Sequence, residues 1–389
     1  MTHVACVVGT RPEAIKLAPV IRELRRRSWC RVTVIATAQH RHLLDQVLGL
    51  FGIEVDLDLD IMQPNQSLST LTARLFEGLA KAYTELAPDA VLAQGDTTTV
   101  FAAATVAHYN SIWFGHVEAG LRSGRIREPF PEEFNRRAVA LISDVHFAPT
   151  AGARNALLRE GVEPGRVELT GNTVIDALLE ARDWPTTLPL PIAPDRRVIL
   201  LTVHRRENFG APLQGIFAAV RQLVRDFPDV EAIYPVHPNP NVAEPARSML
   251  GSTDRVHLVE PLPYDQLVAT MVRSHLILTD SGGIQEEAPA LAKPVLVLRR
   301  TTERPEAITT GAAQLVGTEQ RAVVDAASRL LRDPQAYASM CRGGSPYGDG
   351  LAARRIVDSL ERRFQPKLWR NESACPPLVE EPVRVARVA

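Results

Sequence analysis

Short apolar runs alternate along the whole chain with longer stretches in which apolar residues recur every three or four positions. Val4–Val8 is the first run. Glu13–Arg27 follows, with Ile15, Leu17, Ala18, Val20, Ile21 and Leu24 on one helical stripe. The same reading predicts strands at Val32–Ala36, Ala90–Ala93, Ile112–Val117, Val145–Ala148 and Val167–Thr170. Between them it predicts helices at Arg41–Phe51, Ser67–Leu86, Thr98–Tyr109, from Glu132 onward, Ala151–Glu160 and Val174–Arg182. Continuous apolar strands separated by helices are the pattern of a parallel sheet covered on both faces. The stretch from Trp184 to Pro194 breaks it, because Pro185, Pro189, Pro191 and Pro194 forbid a helix and nothing alternates as a strand does. The alternation then resumes with strands at Val198–Thr202, Ala232–Pro235, Val256–Val259, Leu276–Thr279, Val295–Leu298 and Gln314–Val316, and the last long helix is expected at Leu351–Phe364.

These breaks give a Rossmann-like domain at 1–182, a proline-rich linker at 183–195, a second Rossmann-like domain at 196–364, and a tail at 365–389 expected to be mobile or lightly docked. The expected fold class is α/β: two doubly wound parallel-sheet domains with an interdomain cleft at their carboxyl edges, where open sheets of this kind take ligands.

Composition changes this picture little. The 389 residues are 45% apolar and 23% charged with a net charge of −1, so no overall field draws the chain to nucleic acid or an anionic membrane. The four cysteines, Cys6, Cys30, Cys341 and Cys375, are scattered without a CxxC, as expected of reduced thiols in a cytoplasmic protein. No run approaches the length of a membrane span, and none of the His and Cys spacings suits zinc.

The candidate chemistry lies almost wholly at the carboxyl ends of the predicted strands. Gly9-Thr10-Arg11 follows the first strand, Gln94-Gly95-Asp96-Thr97 follows Ala90–Ala93, and His116-Val117-Glu118-Ala119-Gly120 closes the strand after that. In the second half Thr202-Val203-His204-Arg205-Arg206-Glu207 and Thr279-Asp280-Ser281 take equivalent places. Ser281-Gly282-Gly283, opening a helix after a buried strand, reads as a phosphate seat: glycines admit close approach, and a helical first turn offers free N–H groups. Glu287 lies one turn further in, placed to hold ribose hydroxyls. Other readings stay open. Asp96, taken alone, reads more readily as the N-cap of its helix. Glu132 and Glu133 suit any acidic first turn, and His204 sits in a charged run. No GxxxxGK[ST] or GxGxxG is present, so a P-loop kinase and a tightly held NAD or FAD are not expected. Phosphate seats, several carboxylates and one histidine without a redox cofactor suit proton transfer or elimination on a nucleotide-linked substrate.

These motifs resemble those of the non-hydrolysing UDP-N-acetylglucosamine 2-epimerases. The resemblance rests on Gly9 to Lys16, Gln94 to Thr99, Gly115 to Arg122, Pro131-Glu132-Glu133, Thr279 to Pro289, Thr301 to Glu306 and Pro346 to Gly350. It runs in order from about residue 4 to residue 362. It implies a glycosyltransferase-B-like fold that interconverts UDP-N-acetylglucosamine and UDP-N-acetylmannosamine by inversion at C2. On that reading UDP leaves to give a glycal and then adds again. It implies no cofactor and no metal, a UDP-sugar as substrate, and a homodimer. The residues implied for acid–base work are Asp96, Glu118, Glu132 and His204. Arg11, Lys16, Ser281, Gly282, Gly283 and Arg304 are implied for the diphosphate end, and Glu287 for the ribose. Leu267 stands where relatives commonly carry an aromatic. Many relatives hold a second UDP-N-acetylglucosamine as activator. Gln39, His237 and Arg205 fit that pattern, while His42 stands at a variable position and Asn65 replaces an arginine, so weak or absent activation is expected. Alternatives are a glycosyltransferase or a hydrolysing epimerase of the same fold, or a nucleotide-sugar sensor without turnover. The retained Asp96, Glu118 and Glu132 speak against the sensor.

Overall fold

A computed structural model describes residues 1–37, 41–63, 66–188, 192–365 and 378, apart from the side chains of residues 41–43. Two parallel sheets organise them. The first contains β1 (Thr2–Val8), β2 (Cys30–Ala36), β3 (Leu57–Asp58), β4 (Ala90–Gln94), β5 (Trp113–Val117), β6 (Val145–Ala148) and β7 (Val167–Leu169), in the order β3-β2-β1-β4-β5-β6-β7. The second contains β8 (Arg197–Thr202), β9 (Val230–Pro235), β10 (Val256–Val259), β11 (Leu276–Thr279), β12 (Val295–Val297) and β13 (Ala313–Leu315), in the order β10-β9-β8-β11-β12-β13. Every residue of β1, β4 and β11 is buried, as strands covered by helices on both faces must be. The predicted strands are all present, and β3 is an addition, since two residues are too few to show a period.

Each sheet reverses its strand order once, between β1 and β4 in the first and between β8 and β11 in the second. At such a reversal the connecting helices leave to opposite faces and the two strand ends stand open side by side, which is where ligands of doubly wound sheets bind.

The division of the chain differs from the sequence reading in two places. The first compact unit is Met1–Ala177 with the described residues from Tyr347 on, and the second runs from Leu178 to Pro346. The boundary thus falls inside the helix Thr173–Arg182, ahead of the proline-rich stretch. The described end of that stretch is held by the second unit, where Arg273 Nη2 donates to the carbonyls of Ala193 at 2.8 Å and Arg196 at 2.9 Å. Residues 189–191 of the linker and, but for residue 378, the tail beyond 365 lie outside the described residues.

The helix Ala352–Phe364, expected in the second domain, is a correction: it packs on the first. Its Ile356, Val357 and Leu360 are fully buried, and Arg27 reaches Asp358 at 2.7 Å and Glu361 at 3.2 Å. The return of the chain depends on two glycines. A Cβ at Gly171, whose φ is +88, would stand 3.3 Å from the Cα of Gly348, and Asn172 N–H donates to the Tyr347 carbonyl at 2.6 Å. The Pro346–Gly350 motif is therefore the point of re-entry into the first unit. No described helix is long and apolar enough to cross a membrane.

Candidate active site

In the first unit the groups gather at the β1/β4 reversal. Thr10 caps the helix Arg11–Arg25 in a capping box with Glu13, and Arg11 is the exposed first helical residue. Glu13 is 2% exposed. Its Oε2 accepts from Gly9 N–H at 2.6 Å and Thr10 N–H at 2.9 Å, and its Oε1 accepts from the Thr97 hydroxyl at 2.5 Å. Burial lifts its carboxyl from 4.5 to about 7 against the pull of these three donors, with nearby Asp96 adding to the rise. The strand ends are tight: a Cβ on Gly9 would meet the Thr99 hydroxyl at 2.4 Å and the Thr37 hydroxyl at 2.7 Å.

Asp96 is not the helix cap. Thr97 takes that role for Thr98–Tyr109, accepting from Val100 N–H, which leaves the Asp96 carboxylate free for other partners. The helix Glu132–Ile142 grips it, with Asn135 Nδ2 donating to the Asp96 carbonyl at 2.8 Å and Arg136 Nε to Asp96 Oδ2 at 3.0 Å. That grip brings the first residue of the same helix, Glu132, to this edge with Oε2 buried and without a hydrogen-bond partner. Neighbouring Glu133 is fully buried and structural, bound by Ser123 N–H at 3.0 Å, Arg136 at 3.0 Å and Arg137 at 3.2 Å.

Glu118 ends β5 with a φ of +63, in the left-handed region, and its carboxylate pairs with Lys16 Nζ at 2.6 Å. Lys16, expected at the diphosphate end, is thus engaged with the acid–base set. Two residues earlier on the same strand, His116 Nε2 donates to the Gly95 carbonyl at 2.7 Å. Burial lowers that imidazole to about 4, so it is neutral and suited to a single donor role.

The second unit repeats the plan at the β8/β11 reversal. Asp280, wholly buried at the end of β11, accepts from the backbone N–H groups of His204 at 3.0 Å and Arg205 at 2.9 Å, and from Asn208 Nδ2 at 2.9 Å. His204 projects partly exposed, its ring stacked on that of His237 with centroids 5.5 Å apart and planes 11° apart. Burial depresses its pKa, the Asp280 charge opposes the fall, and His237 and Arg205 add to it. Ser281 precedes the helix Gly282–Ala290 without capping it by its side chain, which leaves first-turn N–H groups for a ligand. Arg205 and Arg304 converge there: a Cβ on Gly282 would lie 3.5 Å from Arg205 Nη2 and 3.9 Å from Arg304 Nη2. Arg304 is itself anchored by buried Glu286. Glu287 is buried beside Gly283 and accepts from the Tyr264 hydroxyl at 3.3 Å. Leu267 lies on the helix Tyr264–Arg273.

Of the residues named from the sequence, Lys16 and Glu118 pair beside the first reversal, where Arg11 and Asp96 follow β1 and β4, and Glu132 begins the helix that grips Asp96. His204, Arg205, His237, Ser281, Gly282, Gly283, Glu287 and Arg304 meet at the second. Gln39 and Asn65 lie outside the described residues, as does the His42 side chain. Sequence reasoning gave no role to Glu13 or Asp280. The Thr10-Arg11-Pro12-Glu13 spacing of a capping box was the signal for the first, and an acid following the wholly buried strand Leu276–Thr279 was the signal for the second.

Two doubly wound parallel sheets, each reversing once, place the chain in the glycosyltransferase-B-like fold class. A glycosyltransferase structure shares this fold at a TM-score of 0.66 and 14% identity, covering 93% of this chain and 99% of that one, a likeness of fold alone. The chain belongs to the UDP-N-acetylglucosamine 2-epimerase family, whose model it matches over residues 22–361. It is 49% identical over 358 residues to the UDP-N-acetylglucosamine 2-epimerase of Bacillus subtilis strain 168, covering 92% of this chain and 94% of that protein. The crystal structure of the Neisseria meningitidis UDP-GlcNAc 2-epimerase bound to UDP-GlcNAc matches at a TM-score of 0.84 and 45% identity, covering 93% of this chain and 100% of that one.

Proposed function

We propose that this chain interconverts UDP-N-acetylglucosamine and UDP-N-acetylmannosamine by inversion at C2, without hydrolysis. The observation that carries the reading is that Asp96 and Glu118 follow the adjacent strands β4 and β5, with Glu118 at a φ of +63 paired to Lys16, and Asp96 gripped by the helix that Glu132 begins. A sugar C2 proton is not acidic by itself. Loosening of the anomeric C–O bond places positive charge on C1, which acidifies the C2 proton, and a carboxylate of this set removes it. The C1–O bond breaks with its electron pair on UDP, leaving UDP and a glycal. Return of a proton to the opposite face of C2 and re-addition of UDP at C1 give the epimer. The second unit supplies the anion seat: first-turn N–H groups at Gly282 and Gly283 with Arg205 and Arg304 for the departing diphosphate, and Glu287 for the ribose. His204 stands beside that seat as the further acid–base group.

The test is conversion of UDP-N-acetylglucosamine in deuterium oxide without added NAD or metal. UDP-N-acetylmannosamine carrying deuterium at C2 is expected. Product that retains the original hydrogen refutes the elimination, and free N-acetylmannosamine with UDP as the sole products makes the chain a hydrolysing epimerase.

Activation by a second UDP-N-acetylglucosamine is expected to be weak or absent, because asparagine at position 65 supplies neither the charge nor the paired donors of an arginine. Losing one charge-assisted contact of about 1.5–3 kcal/mol lowers affinity roughly 10- to 150-fold. Pure UDP-N-acetylmannosamine should then react without a lag, and the forward rate should saturate hyperbolically. A sigmoidal forward curve, with a reverse reaction silent until the gluco isomer is added, contradicts this.

A further inference from the structure

The first reversal is tied by a side chain that the reaction scheme above does not use. Glu13 reaches from the turn after β1 to the turn after β4. One carboxylate oxygen gathers the N–H groups of Gly9 and Thr10, and the other takes the Thr97 hydroxyl. Gly9 and Thr10 lead directly into Arg11, and Thr97 directly follows Asp96. A capping box needs only the Thr10 part of this arrangement. The Gly9 contact and the bond across to Thr97 exceed it, and both use a carboxylate that has almost no access to water.

We propose that Glu13 is a positioning residue for the epimerisation: by accepting simultaneously from Gly9, Thr10 and Thr97, it locks the Asp96 turn to the Arg11 turn. This rests on Asp96 being an acid–base residue of the proposed reaction.

Burial of the carboxylate supports the assignment. A carboxyl lifted from 4.5 to about 7 holds its proton more tightly in the folded chain. Its contribution to stability is therefore full below pH 4.5 and is lost as the pH rises through 7. Ionised Glu13, with Asp96 facing it and Arg11 and Lys16 on its own helix, weighs against folding above neutrality. A purely structural carboxylate has no reason to stay charged there. Glutamine keeps two of the three contacts, its carbonyl accepting from Gly9 and Thr10, but it sets an N–H donor against a Thr97 hydroxyl whose oxygen already accepts from Val100 N–H. Neutralisation thus spares the fold while altering the bond that orients Thr97.

The experiment compares Glu13→Gln, Thr97→Val, Thr97→Ser and the double variant Glu13→Gln/Thr97→Val, reading kcat, KM and Tm at pH 8. Glu13→Gln and Thr97→Val should each lower kcat about 10-fold or more, the scale of a slight misplacement of a catalytic group, with KM nearly unchanged. Thr97→Ser, which keeps the hydroxyl, should stay close to wild type. The double variant should be no worse than the poorer single, because Thr97→Val already removes the bond that Glu13→Gln alters. Glu13→Gln should melt no lower than wild type at pH 8. Unchanged kcat in Glu13→Gln, or a double variant whose losses multiply, overturns the proposal, as does a lower Tm with intact kcat. If wild type itself converts no UDP-N-acetylglucosamine, the proposed function fails instead. The lock is then judged by hydrogen exchange at the Gly95, Asp96 and Thr97 amides, which should quicken in Thr97→Val and not in Thr97→Ser, and equal rates refute it.

Discussion

A glutamate at a φ of +63 is a costly way to finish a strand, since a side chain with a Cβ pays roughly 1–2 kcal/mol in that region. Glycine would remove the strain, so the side chain itself must repay it. The 2.6 Å contact with Lys16 shows what the strain achieves: the carboxylate points back over the β1/β4 reversal. Glu118→Gln keeps the shape and removes the charge and the proton-accepting power. Its turnover should fall at least about 100-fold, the lower bound for a general acid–base group. UDP affinity should persist, because the proposed anion seat is built from other residues, Gly282, Gly283, Arg205 and Arg304. Normal turnover by this variant would make Glu118 a turn residue. Glu118 stood out in the sequence because glutamate is a poor former of glycine-flanked turns. Its pairing with Lys16 was not readable, since it joins residues more than a hundred positions apart.

At the scale of elements, the periodicity placed nearly every strand and helix, because fully buried strands and amphipathic helices have patterns that few other arrangements share. Its failures are instructive. Asp96, taken alone, read as a cap because aspartate caps better than threonine, yet the backbone gives that role to Thr97, directly before the helix start at Thr98 that the pattern placed. The cross-strand ties were also hidden. Glu13 links the ends of β1 and β4, and Asp280 links those of β11 and β8, each a buried carboxylate collecting three or more donors. Such ties follow from strand order, which a linear pattern does not contain. The two reversals share a design: a buried acid fixes the backbone, so that exposed polar residues beside it are free to meet a ligand.

On the scale of the whole molecule, the homodimer implied by the resemblance is a proposal, and the described first unit offers an apolar face for it. Phe76, Phe101 and Phe134 form a chain of rings across three helices of the first unit, with centroids 5.9 and 5.7 Å apart. Around it Tyr109 is 73%, Phe134 45% and Leu141 83% exposed. A monomer gains nothing from displaying these groups, and a second copy of the chain is the proposed cover. Leu141→Glu should shift wild-type dimers toward monomers in sedimentation, and an unchanged mass would show that the face serves another purpose. The re-entry of the chain at Tyr347 bears on synthesis. The first sheet is complete once β7 has left the ribosome, yet the helix that covers Arg27 and closes over Thr170 through Arg355 comes from residues 352–364. At roughly 5–20 residues per second, the intervening second unit takes about ten to forty seconds to emerge. The unit that begins first is thus the one that finishes last, because the apolar surface buried by Ile356, Val357 and Leu360 stays uncovered until residues 352–364 have emerged.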